Sequence, residues 1–147
     1  MRENSTISLL YVDDDLDMCM LVGAFCERLG SITLKILHSG ESALEWLSTS
    51  TADVIVADYE MPGGINGITL LQEFRSCGYT FPFILFTAHD ACTVREEAIR
   101  NGAFTVINKT SSDKNLIHRL FRTIYWATVN RDFEKNSAPE KGKPLND

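Results

Sequence analysis

The sequence predicts an α/β fold: a three-layer sandwich with helices on both faces of a parallel sheet. Three observations carry that expectation. Short apolar runs alternate five times with longer stretches at helical spacing, the signature of repeated strand-then-helix units. The third and fourth runs, Asp53 to Ala57 and Phe83 to Phe86, are nearly unbroken apolar segments, as strands covered on both faces are. The chain has 147 residues, 44% of them hydrophobic, enough for one domain with a real core.

Ile7 to Val12 is the first predicted strand, and it stops at Asp13-Asp14-Asp15. A helix is expected from Leu16 to Leu29, with Met18, Val22, Phe25 and Leu29 on one face and Gly30 closing it. Ile32 to Leu37 is the second strand. Glu41 to Leu47 is the second helix, with Ser39 as its N-cap. The third strand ends at Asp58, and Ile68 to Arg75 lies in the third helix. The fourth strand closes on Thr87, and Ala91 to Asn101 forms a helix ended by Gly102. Phe104 to Asn108 is the fifth strand, closing on Lys109, and Asp113 to about Val129 is the last helix. From Asn130 the composition turns polar and includes two prolines. The expected organisation is one domain over 1–129 and a polar tail or linker over 130–147.

The formal charge of −6 argues against a standing basic footprint for nucleic acid. No apolar stretch approaches the roughly 18 residues a membrane helix needs, and the polar opening Met1 to Thr6 is not a signal peptide. Cys19, Cys26, Cys77 and Cys92 form no CxxC pair and read as reduced thiols. A soluble, cytoplasmic protein is expected. His38, His89 and His118 are scattered, and Trp46 and Trp126 read as packing residues on helices.

The chemistry lies at the strand ends. Open parallel sheets bind ligands outside the carboxyl ends of their strands. Asp13, Asp14, Asp58, Thr87 and Lys109 occupy those ends. In a sheet ordered 2-1-3-4-5, Asp14 and Asp58 stand one strand apart, about 5 Å, with Thr87 one strand beyond and Lys109 two. Clustered carboxylates repel and call for a cation. Oxygen donors without His or Cys favour a hard ion such as Mg²⁺. An aspartate can attack a phosphoryl group, and phosphoryl transfer needs its charge neutralised, which Mg²⁺ and the Lys109 ammonium supply. The bland reading is that aspartates after a strand merely cap the next helix, as Asp15 is expected to do. A lone Thr or Lys at a strand end means little; the joint placement is what carries weight.

From about Ile7 to about Thr128 the chain resembles the CheY-like receiver domains of two-component response regulators. The matching segments are Leu10-Tyr11-Val12-Asp13-Asp14-Asp15, Asp58-Tyr59-Glu60-Met61-Pro62, Phe86-Thr87-Ala88, and Gly102-Ala103 followed by Lys109. The resemblance implies a flavodoxin-like (βα)5 fold with sheet order 2-1-3-4-5. It implies phosphorylation of Asp58 in a His-Asp phosphorelay. Asp14 would be a direct Mg²⁺ ligand, Asp13 its neighbour that often works through water, and the Glu60 backbone carbonyl a further ligand. Thr87 would be the hydroxyl that follows the phosphoryl group, and Lys109 the paired cation. Glu60 and His89 match positions that tune dephosphorylation. The implied partners are a sensor histidine kinase or phosphotransfer protein and an unknown downstream protein, and the family admits a homodimer on phosphorylation.

Three departures stand out. Thr110 follows the lysine where the family usually has proline with a cis peptide; a cis non-proline bond costs about 3 kcal/mol, so that strain is held or the loop is trans. The segment Pro62-Gly63-Gly64-Ile65-Asn66-Gly67 is one residue longer than usual and is expected to be mobile. Val106 stands where an aromatic residue usually couples the hydroxyl to the output face. Three other readings differ in class. A degenerate receiver would be a binding module that is never phosphorylated. An aspartate-dependent phosphatase of the haloacid-dehalogenase type would carry its Asp-x-Asp on the first strand, not the third, and a flavin carrier would not line its first loop with three aspartates. No output domain is legible, so output through protein–protein contact is expected unless the chain is a piece of a longer one. Trp126, Val129 and Phe133 recur at helical spacing beyond the core positions Leu116, Leu120 and Ile124. They read as ordinary packing or as a contact face.

Overall fold

A computed structural model describes residues 6–89, 92–109 and 114–137, the last six of these by backbone alone. Five parallel strands form one sheet in the order β2-β1-β3-β4-β5, the order the resemblance implies. They are β1 (Ile7–Val12), β2 (Ile32–Leu37), β3 (Val54–Ala57), β4 (Phe83–Thr87) and β5 (Thr105–Asn108). The helices are α1 (Leu16–Leu29), α2 (Gly40–Leu47), α3 (Gly67–Ser76), α4 (Cys92–Arg100) and α5 (Leu116–Ser137).

Strand alternation sorts the sheet's side chains into two cores. Leu9, Tyr11, Val54, Val56, Ile84, Phe86 and Ile107 meet Cys19, Val22 and Cys26 of α1 and Leu120 and Ile124 of α5. Leu10, Val12, Ile55, Ala57, Phe83 and Leu85 meet Ala43 and Leu47 of α2, Leu71 and Phe74 of α3 and Val94 and Ala98 of α4. That is the three-layer sandwich. β3 and β4 are buried at every position, which is why their sequences do not alternate.

Local signals set the helix ends. The Asp15 carboxylate accepts the backbone N–H groups of Asp17 and Met18 and starts α1. Gly30, at φ +69°, closes it in the left-handed region. Ser39 caps α2, which opens one residue earlier than expected, and Asn66 caps α3.

Two expectations need adjusting. α5 does not stop near Val129 but runs through Ser137. The polar residues after Asn130 include no proline or glycine until Pro139, so nothing in the backbone chemistry ends the helix there. Arg131 also ties it to the body: Nη1 donates to the Asp53 carbonyl at 3.3 Å, and the guanidinium sits 5.7 Å from the Phe81 ring centre. The segment 62–67 is clasped rather than loose. The Ile65 N–H donates to Glu41 Oε2 at 2.9 Å, and Ile65 covers Gly40 so closely that a Cβ there would lie 2.5 Å from its Cγ1. The expected helix starts at Ala91 and Asp113, the Lys109–Thr110 peptide and the end of the tail lie outside the described residues.

Candidate functional site: an acidic cluster at the strand ends

Parallel pairing aligns the carboxyl ends of the central strands. Val12 of β1 pairs with Ala57 of β3, so the residues that follow, Asp13 and Asp58, leave the sheet side by side. One carboxylate oxygen each from Asp13, Asp14 and Asp58 lies within 4.8 Å of the other two. Thr87 ends β4 opposite Asn108 of β5, and Lys109 follows directly. The sheet register brings together all five strand-end residues expected from the sequence.

Their environments differ. Asp13 is fully buried, Asp14 is exposed, and Asp58 lies between. Asp13 is heavily engaged: its Oδ2 accepts Lys109 Nζ at 2.6 Å and the Tyr11 hydroxyl at 2.7 Å, and its Oδ1 accepts the Asp15 N–H at 3.0 Å. Its carbonyl accepts His38 Nδ1–H at 3.0 Å and the Cys19 thiol at 3.4 Å. Lys109 bridges to Asp58 Oδ2 at 3.1 Å, with only 7% of its side chain exposed, and lies 5.4 Å from the Phe86 ring centre. Burial opposes the Lys109 charge, but the bonds and charges of Asp13 and Asp58 outweigh it and hold the ammonium above its usual range. Burial pushes the Asp58 carboxyl up, reinforced by the Asp13 charge. Lys109 and the Thr87 hydroxyl pull it down without cancelling that rise.

Thr87 is buried, and its Oγ1 accepts the His89 N–H at 3.1 Å. At the mouth of the site His89 Nδ1 donates to Glu60 Oε1 at 2.9 Å, and its ring lies 5.1 Å from that of Tyr59. Glu60 and His89, the two tuning positions the resemblance implies, thus form one exposed bridge. Val106 is buried beside its register partner Leu85. It stands apart from the acidic cluster, on the face that carries α2, α3 and α4. Tyr11 was missed by reading the strand as core alone. Its signal was there: residues two apart on a strand share a face, which puts its hydroxyl beside Asp13.

An oxygen-only set with one exposed carboxylate, one half-buried carboxylate and open solvent beyond suits a hard divalent cation, which keeps waters and takes one or two carboxylates from the protein. The ammonium at Asp58 suits an added anionic group. Among the described residues no helix is long and apolar enough to cross a membrane.

Comparison with known proteins agrees with this geometry. Residues 9–121 match the family model described as the response regulator receiver domain. The heme response regulator HssR of Staphylococcus epidermidis is 31% identical over 128 residues, covering 87% of this chain and 56% of that protein; the chain spans about half the length of this relative. The Francisella response regulator 1452 receiver domain superposes with a TM-score of 0.76 at 26% identity, covering 86% of this chain and 99% of that one. A CheY-like receiver domain protein from Methanospirillum hungatei shares the fold, with a TM-score of 0.79 at 18% identity over 88% of this chain and 99% of that one. With its sheet order, its strand-end residues and more than half its length matched by one family, the chain belongs to the response regulator receiver domains of two-component systems.

Proposed function

We propose that this domain is a Mg²⁺-dependent switch that accepts a phosphoryl group on Asp58. The donor is a phosphohistidine of a sensor kinase or phosphotransfer protein. An Asp58 carboxylate oxygen attacks phosphorus, the P–N bond breaks, and its electron pair returns to the imidazole, which takes up a proton. The observation that carries this reading is the Lys109 ammonium held between Asp13 and Asp58. One cation there neutralises the carboxylate now and a phosphoryl oxygen later. Asp14 and Asp58, with the Glu60 carbonyl, would hold Mg²⁺, and Asp13 would reach it through water because its own oxygens are taken up by protein donors. Bound there, the ion supplies charge neutralisation for the transferring group. The Thr87 hydroxyl would follow the phosphoryl group, and the Glu60–His89 bridge would govern the approach of hydrolytic water. The switch would act in the cytoplasm, on a protein partner or a second copy of the chain.

The test is intact mass after incubation with a small phosphodonor and Mg²⁺. The expected result is one phosphoryl group on the wild type, none on Asp58→Asn and none in EDTA. Equal gain by Asp58→Asn would move the acceptor elsewhere. No gain by the wild type would favour the non-phosphorylated binding module.

A further inference from the structure

Tyr11 is a buried polar group that the phosphoryl chemistry above leaves without a task. It is fully buried in the α1–α5 core, with its ring 6.4 Å from that of Phe86. An apolar residue would fill that space without a hydroxyl to satisfy. The hydroxyl is spent on one partner, donating to Asp13 Oδ2 at 2.7 Å. The same oxygen accepts the Lys109 ammonium at 2.6 Å. Hydrogen bonds to a charged group are the strong ones, and a buried carboxylate that loses a donor leaves a lone pair unsatisfied.

We propose that Tyr11 is a positioning residue of the phosphoryl-transfer site: its hydroxyl fixes the Asp13 carboxylate, and Asp13 in turn fixes Lys109 against Asp58. The geometry works as a relay. Asp13 Oδ1 is pinned by the Asp15 N–H, so the carboxylate plane is set from one side by the backbone and from the other by Tyr11. Lys109 has a long flexible stem, and its placement depends on where Asp13 Oδ2 stands. With the hydroxyl gone, Oδ2 rests on Lys109 alone, and the carboxylate turns more readily about its Cβ–Cγ bond. Both the cation-binding face of the cluster and the ammonium beside Asp58 lose definition. Outer partners of this kind typically change metal affinity or activity by about 10–100-fold when removed.

This inference rests on the cluster being a Mg²⁺-assisted phosphoryl site, and the experiment separates the two. Mg²⁺ binding is titrated calorimetrically for wild type, Tyr11→Phe, Asp13→Asn and the double variant, with thermal melts in EDTA alongside. Tyr11→Phe keeps the ring and its packing, so its melt should show a folded protein. We expect Mg²⁺ to bind Tyr11→Phe about tenfold more weakly than wild type, with a comparable fall in phosphorylation rate by a small phosphodonor. In the Asp13→Asn background the same change should have little further effect, because the two residues act as one unit. Wild-type affinity in Tyr11→Phe, or a tenfold loss that persists in the Asp13→Asn background, would overturn the proposal. If the wild type binds Mg²⁺ but accepts no phosphoryl group, the reading of Asp58 as acceptor fails while the Tyr11–Asp13 link is still decided by the calorimetry. If it binds no Mg²⁺, both fall.

Discussion

Asp58 sits where two demands oppose each other. A nucleophile must stay ionised, yet burial pushes its carboxyl above the ordinary value of 3.8, and the Lys109 and Thr87 contacts only partly restore it. The sign of the pH dependence follows. A group whose folded-state pKa is raised contributes stability below its unfolded value and loses it as pH climbs through the folded one. Metal-free protein should therefore lose stability from Asp58 as pH rises above about 4. Asp58→Asn should be more stable than wild type at neutral pH without Mg²⁺ and should lack that component of the pH profile. Urea midpoints at several pH values in EDTA measure it; a less stable Asp58→Asn at neutral pH would show that the Lys109 pairing outweighs burial. Its neighbours divide differently. Asp14 is exposed and open to an ion, whereas Asp13 is spent on Lys109, Tyr11 and Asp15. Asp14→Ala should weaken Mg²⁺ binding more than Asp13→Ala, and equal affinities would erase that division. The cysteines sort by burial too. Cys19 and Cys26 are buried and pushed up to about 11 by desolvation, while Cys77 and Cys92 are exposed. A thiol reagent should label two sites quickly on the native protein and four only after unfolding.

At the scale of elements, glycines decide how closely α3 and the preceding loop approach the site. A Cβ on Gly67 would lie 2.2 Å from the Asp58 carbonyl oxygen, and one on Gly64 would lie 2.4 Å from Glu41 Oε1. The first obstacle is backbone and cannot retreat; the second is the tip of a flexible side chain. Gly67→Ala should cost about 1–3 kcal/mol and slow phosphorylation, while Gly64→Ala should cost less; equal losses in urea denaturation would refute the distinction. These contacts explain what was legible in the sequence. The strands and the first helix were, because their periodicity, Asp15 and Gly30 are local signals. The five strand-end residues were, because a parallel sheet lines up whatever follows each strand. The clasp of Ile65 by Glu41 was not, because it joins residues 24 apart through a loop whose glycines suggested freedom. The run of α5 past Asn130 was not, because a polar composition reads as a tail when the partners that hold the helix, Asp53 and Phe81, lie far back in the chain.

For the whole molecule, a switch needs a surface whose two states differ in their contact with the phosphoryl site. Thr87 is a strand-end group that faces both. It reaches Asp58 on one side, and beyond it on β5 stand Asn108, its register partner, and Val106, partner of Leu85. Where the family usually swings an aromatic ring, this chain has Val106, branched at Cβ and stiff about its first torsion. Asn108 Oδ1 is buried with no partner among the described residues. Meanwhile segment 62–67 lies next to the acceptor through Gly67 and is fastened to α2 through Glu41 and Ile65. Phosphorylation is therefore expected to move Thr87, the loop after it and Gly63 to Gly67, carrying Glu41 and the start of α2, and to couple weakly to the α4–β5–α5 face. Backbone NMR shifts with and without a phosphodonor test this; changes concentrated around Val106, with Gly63 to Gly67 and Glu41 silent, would refute it. Val106 lines a groove of about 570 Å³ with Arg95, Asn108 and Trp126, so an added ring has room to lie outward. Trp126 is 61% exposed there, which makes its fluorescence a local probe. Val106→Tyr should convert a tryptophan signal that is nearly flat on phosphorylation into one that changes, by giving Thr87 a ring to move. A signal that is large in the wild type and unaltered in Val106→Tyr would mean that the face is driven by another route.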